Sequence, residues 1–203
     1  MTTVPTRQKI LDAAQRLIEK SGLAGLTTKE IAREADCAEG TLFKHFKTKA
    51  DLQLAVVLEN APIFREKLSQ PTAGQSTVAA NLGDLATASI SYFEKLIPLA
   101  TSLFANVDLL ERHRTEMADQ GRGPEDVFAL VSKYICEEQQ LGRIDRQVQP
   151  ISAASLLLGP CFHRAFIRQT LGKDIPGPSD RDFVVSIVGV LLDGLVSKTE
   201  EAG

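Results

Sequence analysis

Leu26-Thr27-Thr28-Lys29-Glu30-Ile31-Ala32-Arg33-Glu34-Ala35-Asp36-Cys37-Ala38-Glu39-Gly40-Thr41-Leu42-Phe43-Lys44-His45-Phe46-Lys47-Thr48-Lys49-Ala50-Asp51-Leu52 decides how the chain is read. Thr27 followed three residues later by Glu30 is a capping box, and Leu26 with Ile31 is the hydrophobic staple that accompanies one. A short helix therefore starts at Thr27. It ends by about Ala35, because Asp36-Cys37-Ala38 breaks the apolar period. A second short helix, from about Glu39 to Phe46, buries Leu42 and Phe46 at i and i+4. Thr48 with Asp51 then caps a further helix passing through Leu52, Leu54, Val57 and Leu58. Two short helices around a tight turn make a helix-turn-helix.

Outward from this stretch, helical periodicity continues in both directions and strand-like alternation is hard to find, so the chain is expected to be all-α. Upstream, a helix from about Thr6 to Ser21 aligns Ile10, Ala13, Ala14, Leu17 and Ile18, and Gly22 stops it. Downstream, Pro62 kinks or ends the helix begun at Thr48. Beyond Pro71-Thr72-Ala73-Gly74, helices are expected at about 76–94, 97–112, 123–141, 150–171 and 180–198. The polar, Gly-containing segments Arg114–Gly123 and Lys173–Ser179 are expected to be loops. The organisation is an N-terminal three-helix bundle with the helix-turn-helix, residues 1–50, followed by a larger helical domain, residues 51–203.

Net charge is −3 over 203 residues, but it is unevenly placed. Residues 1–50 carry nine Lys/Arg against six acids, a balance of +3, and the remainder carries −6. A basic head on an acidic body suits a nucleic-acid contact confined to the head. No apolar run reaches the length of about 18 to 20 residues that a membrane span needs; the best candidate, Phe183–Val196, is short and carries Asp193. No secretory signal is readable in Met1–Gln15, so a cytoplasmic location without membrane contact is expected. Cys37, Cys136 and Cys161 form no CxxC pair and are expected as buried thiols.

The elements "TT..IA..A", "GTL(aromatic).HF" and "K..L" stand in register across residues 7–58, and together they resemble the DNA-binding signature of TetR (tetracycline repressor)-type transcriptional regulators. That resemblance implies a dimer in which each head binds one half of a palindromic operator in double-stranded DNA, and a body that binds a small-molecule effector. With Leu42 and Phe46 turned into the core, Glu39, Gly40, Thr41, Phe43 and Lys44 are left on or near the exposed face, where a two-turn helix meets base edges in the major groove. By resemblance, Thr28, Phe43, His45 and Lys49 match positions that contact phosphates. Thr28 also suits a plain helix-start residue, and His45 a packing residue. The family usually carries Gly-Val-Ser-Lys/Arg or similar where this chain has Asp36-Cys37-Ala38-Glu39. Ala38 has no side-chain oxygen for a cap. Glu39 is either an acceptor for cytosine N4 or a solvated acid that weakens DNA binding slightly. Phe43 stands where Tyr is more usual, which leaves contact with a sugar or thymine methyl.

The body offers no His/Glu pair at metal spacing, no phosphate loop and no nucleophile turn, so neither catalysis nor a cofactor is expected. Helices at 150–171 and 180–198 are apolar around more of their circumference than a surface helix should be. By resemblance they form the dimer interface, with Leu156, Phe162, Phe166, Val184, Ile187, Leu191 and Leu195 as candidates. Burial inside one subunit is the other reading. An effector pocket is expected among Phe93, Leu96, Leu103, Phe104, Val107, Phe128, Val131, Tyr134, Ile135 and His163, although such a stripe also suits ordinary core. The lack of acids on the expected inward faces favours a neutral, lipophilic effector. The leading expectation is a dimeric repressor released by that effector. An activator, a ligand-independent DNA binder, and a helical small-molecule-binding protein without a DNA role are the alternatives.

Overall fold

The structure is a computed structural model, and it describes residues 5–21, 27–49, 51–53, 55–56, 71–105, 107–119, 125–172 and 176–194. Among the described residues there are helices and turns but no strand, as the periodicity predicts. Leu26, Leu54, Val57, Leu58, Pro62 and Leu195 lie outside the described residues.

The chain divides into two compact units: Met1–Ile63 with Lys95–Arg122, and Phe64–Glu94 with Gly123–Gly203. The division does not fall at residue 50. The cause is visible in the first unit, where Leu96 and Leu110, far along the chain, pack against the core of the head.

In the first unit, α1 (Thr6–Ser21), α2 (Thr28–Glu34) and α3 (Glu39–His45) pack against one another. Ile10, Ile31 and Leu42 are each fully buried at their centre, with Leu52 and Val56 from the helical residues that follow Thr48. Each such side chain contributes roughly 1.5–3 kcal/mol by leaving water. Both capping boxes are formed. Thr27 accepts from the Glu30 N–H while Glu30 accepts from the Thr27 N–H at 3.0 Å. Thr48 and Asp51 do the same at 2.9 and 3.0 Å. Burial works to raise the Asp51 pKa, but the Arg112 guanidinium and the Thr48 hydroxyl outweigh it and hold the carboxyl below its ordinary range.

Two expectations for the middle of the chain are corrected. The break expected between 94 and 97 is absent, because α4 (Val78–Phe104) runs through with Pro98 inside it. Proline at that position removes the donor for the Glu94 carbonyl; the Gln169 side-chain amide donates to that carbonyl instead, at 3.1 Å. Arg114–Asp119, expected as loop, is the last part of α5 (Val107–Asp119). Its polarity reflects exposure, not conformation: Arg114 pairs with Glu111 at 2.5 Å along the helix surface.

In the second unit, α6 (Glu125–Gln140) packs on α7 (Pro150–Leu171), and α7 packs on α8 (Asp180–Asp193). Pro150 sits in the first turn of α7 and Gly172, at φ 63, ends it. Helix α8 stops at Asp193, before the expected 198, with Gly194 as its cap. The α7–α8 corner is held by ions: Arg164, buried, donates to Asp180 at 2.6 Å and lies over the Phe183 ring at 4.6 Å. Arg168 donates to Asp180 at 2.7 Å and also pairs with Glu94. These guanidiniums keep the Asp180 carboxyl below its ordinary range.

The expectation of an acid-free interior is overturned by Glu138, which is 0% exposed. Tyr134 donates its hydroxyl to Glu138 at 2.7 Å, and the Arg143 guanidinium stands 3.4 Å from the other carboxylate oxygen. Arg143 also donates to the Ser76 carbonyl at 2.6 Å, which ties the 71–77 turn to the end of α6. Burial and the neighbouring carboxylate push the Tyr134 phenol up to about 12. Of the cysteines only Cys161 is buried; Cys37, in the turn between α2 and α3, and Cys136, on α6, are half-buried.

Candidate nucleic-acid interface

The geometry of the head follows from how α2 ends and α3 begins. Ala35 closes α2, Asp36 takes a left-handed conformation at φ 52, and the Cys37 N–H returns to the Ala32 carbonyl at 2.9 Å. With the Asp36 N–H on the Arg33 carbonyl at 3.2 Å, this is the paired-bond helix stop usually built with glycine. Burial, and then the Asp36 charge, push the Cys37 thiol up. Ala38 stands at the cap of α3 and makes no side-chain cap bond, as its lack of an oxygen dictates.

From that start α3 separates its side chains into two faces. Leu42 and Phe46 are buried, whereas Gly40, Phe43, Lys44 and His45 are exposed, Phe43 to 43%. Thr41 is half-buried between the two faces. A Cβ added at Gly40 would meet nothing within 4 Å. The fold itself therefore does not require glycine there, and the bare backbone is left open to a partner. Lys47 is exposed in the turn that follows, a cation not singled out from the sequence, and Lys49 is half-buried. Arg7 lies over the Phe46 ring, 5.3 Å from its centre. The Glu30 carboxyl is held below its ordinary range, first by the Thr27 hydroxyl, then by the Thr27 backbone, with Arg33 and Lys49 adding their charge.

Thr28 and Glu39, expected as separate DNA-facing residues, are joined. The Thr28 hydroxyl donates to Glu39 Oε1 at 2.5 Å, across a separation of eleven residues, and both side chains are half-buried. No sequence signal pairs the first residue of α2 with the first residue of α3, because the contact depends on the angle at which the turn sets the helices.

In the body, the expected effector residues are not one cluster. Leu96, Leu103, Phe104 and Val107 fall in the first unit and the other six in the second. Leu96 packs against the head core, Phe104 and Val107 are 71% and 72% exposed, and the side chain of Leu103 lies outside the described residues. Val131, Tyr134 and Ile135 are buried, Phe128 is half-buried and His163 is exposed. Phe93 is buried edge-on against Phe162, ring centres 5.4 Å apart. A separate groove of about 470 Å³ has mixed walls, Pro71 and Ala88 as well as Thr72, Gln75, Asn81 and Asp84.

Of the expected interface residues, Leu156 (65%), Phe162 (45%) and Phe166 (45%) are exposed on α7. Ile187 and Leu191 are half-buried. Val184 is corrected: it is buried in its own subunit, with Gly83 alongside. The exposed side of α8 is carried by Val185 (66%), Val190 and Leu192. Among the described residues no group of His, Cys, Asp and Glu could hold a metal ion, and no helix is long and apolar enough to cross a membrane.

Residues 10–56 match the family model described as bacterial regulatory proteins, tetR family. The HTH-type transcriptional regulator YvkB of Bacillus subtilis strain 168 is 44% identical over 57 residues, 28% of this chain and 30% of that relative's length. The chain thus spans under a third of that relative. Among solved structures, the fatty acid degradation regulator FadR of Bacillus halodurans has a TM-score of 0.70 at 17% identity, over 98% of this chain and 100% of that one. The transcriptional regulator FadR of Bacillus subtilis, in complex with stearoyl-CoA, has a TM-score of 0.66 at 18% identity, over 93% and 99%. At these identities the likeness to both structures is one of fold.

Proposed function

We propose that the protein is a tetR-type regulator, a dimeric transcriptional repressor released from a palindromic operator by a small lipophilic effector; the match of residues 10–56 to the tetR family model supports that reading for the head. The observation that carries the DNA-binding part is the split face of α3. Its buried side is sealed by Leu42 and Phe46, and its free side presents Gly40, Phe43, Lys44 and His45. In this reading the free side enters the major groove, while Lys49 and Lys47 answer the phosphates on either flank.

The exposed apolar residues of α7 and α8 support the dimeric part. Leu156, Phe162, Phe166, Val185 and Leu192 are large apolar side chains that one subunit leaves uncovered. Two linked heads then share one inverted repeat, so each half-site adds to the affinity of the other. The likeness in fold to a regulator solved with stearoyl-CoA supports a lipophilic effector. To lower operator affinity about 100-fold, the effector must favour the released state by about 2.7 kcal/mol.

Selection of genomic fragments by the purified protein at controlled salt tests the reading, with Lys49→Glu as control. Recovery of an inverted repeat that the folded variant fails to hold is expected. A folded, dimeric wild-type protein that recovers no fragment would overturn it, in favour of a helical small-molecule binder.

A further inference from the structure

We propose that Thr28 is a positioning residue for Glu39, and that the pair sets a preference for an amino-bearing base edge at one step of each half-site. The proposal rests on the DNA-binding reading above and goes further, into how one base is chosen.

A threonine hydroxyl carries a single proton. In the free protein it is given to Glu39 Oε1 at 2.5 Å, so it is not at the same time available to a phosphate. A bond to a charged acceptor is also short and strong relative to a neutral one. Thr28 has no competing task at the helix end, because Thr27 is the cap of α2 and takes the Glu30 N–H. Nor is Glu39 engaged as a cap: it is the first residue of α3, and the cap position belongs to Ala38. Their mutual bond is therefore what fixes the Glu39 carboxylate beside the exposed Gly40.

A carboxylate held there has a definite preference. It accepts and does not donate, so it suits the amino groups of cytosine N4 or adenine N6 and opposes the acceptors on guanine and thymine. Unheld, the side chain can swing away from the groove and from the phosphates, and the discrimination weakens. Glu39 thus costs some affinity on every duplex and costs least where an amino group meets it.

The test is binding-site selection from a randomised duplex pool at fixed salt, read position by position, with the full-length protein. Wild type is compared with Thr28→Val, Thr28→Ser, Glu39→Gln and the Thr28→Val/Glu39→Gln double variant, each checked for native helix content. In wild type one step of each half-site favours an amino-bearing base. Glu39→Gln changes preference at that step by about 10-fold. Thr28→Val loses preference at the same step, Thr28→Ser keeps it, and the double variant matches Glu39→Gln alone. A uniform loss of affinity for Thr28→Val with an unchanged profile would make Thr28 a phosphate contact and overturn the proposal. An unchanged profile for Glu39→Gln, or additive losses in the double variant, does the same. A wild-type protein that selects no sequence at all removes the DNA-binding reading itself, an outcome distinct from these.

Discussion

Asp36 is a non-glycine residue in the left-handed region, at φ 52, in the turn that aims α3. Side chains there crowd the backbone, at a cost of roughly 1–2 kcal/mol for an ordinary residue and less for Asp or Asn. Asp36→Gly removes that crowding but adds freedom to the unfolded chain, worth about 0.4–1 kcal/mol in the opposite sense. Because the two bonds that close the stop are backbone bonds, from Asp36 to Arg33 and from Cys37 to Ala32, they survive the change. A net gain of about 0.5 kcal/mol is expected, read as a higher denaturant midpoint; a lower midpoint would mean that the Asp36 carboxylate supports the turn. The Thr27/Glu30 and Thr48/Asp51 boxes were legible in the sequence because both partners lie three residues apart. The Thr28–Glu39 bond was not, since it joins two helix starts whose relation exists only after the turn has formed.

At the scale of elements, the helix around Pro98 shows why local rules misplace a boundary. A proline strips a donor from the turn before it, and by spacing alone that turn reads as a boundary. The helix survives it with the Gln169 amide on the orphaned Glu94 carbonyl, a bond between residues 75 apart. Gln169→Leu leaves that carbonyl to water and is expected to cost about 0.5–1 kcal/mol. Pro98→Ala returns a backbone donor at the right place, so the cost of Gln169→Leu should shrink in the Pro98→Ala background. Thermal unfolding of the four proteins of that cycle measures it; equal losses in both backgrounds would show that Gln169 acts through something other than the carbonyl. The same distinction separates the legible elements from the rest. The α1, α2, α3 and α7 spans follow from spacing and caps within one turn, while the course of α4 and the burial of Glu138 depend on partners brought in by the fold, the Gln169 amide for one and Gly74 and Arg143 for the other.

At the scale of the molecule, the question is what covers the apolar side of α7 and α8. Both helices carry large apolar residues on more than one face, so sequence spacing could not decide which side turns inward. Packing does: Ala154, Leu157, Leu158 and Cys161 on α7, with Val184 and Val188 on α8, are buried within the subunit. That leaves Leu156 and Val185, each about two-thirds exposed at 65% and 66%, as the clearest points for a second copy to meet. Because one subunit's interior barely uses them, Leu156→Glu and Val185→Glu together should leave the subunit folded while placing four like charges in a two-fold interface. The expected result is a monomer by sedimentation, a melting temperature that no longer rises with protein concentration, and an operator affinity that falls toward that of a single head on a half-site. Val184→Glu makes the contrast, because it buries a charge inside the subunit and should unfold it at any concentration. A Leu156→Glu/Val185→Glu protein that remains a dimer would move the interface off this face. An inverted-repeat operator would then need another surface to bring its two heads together.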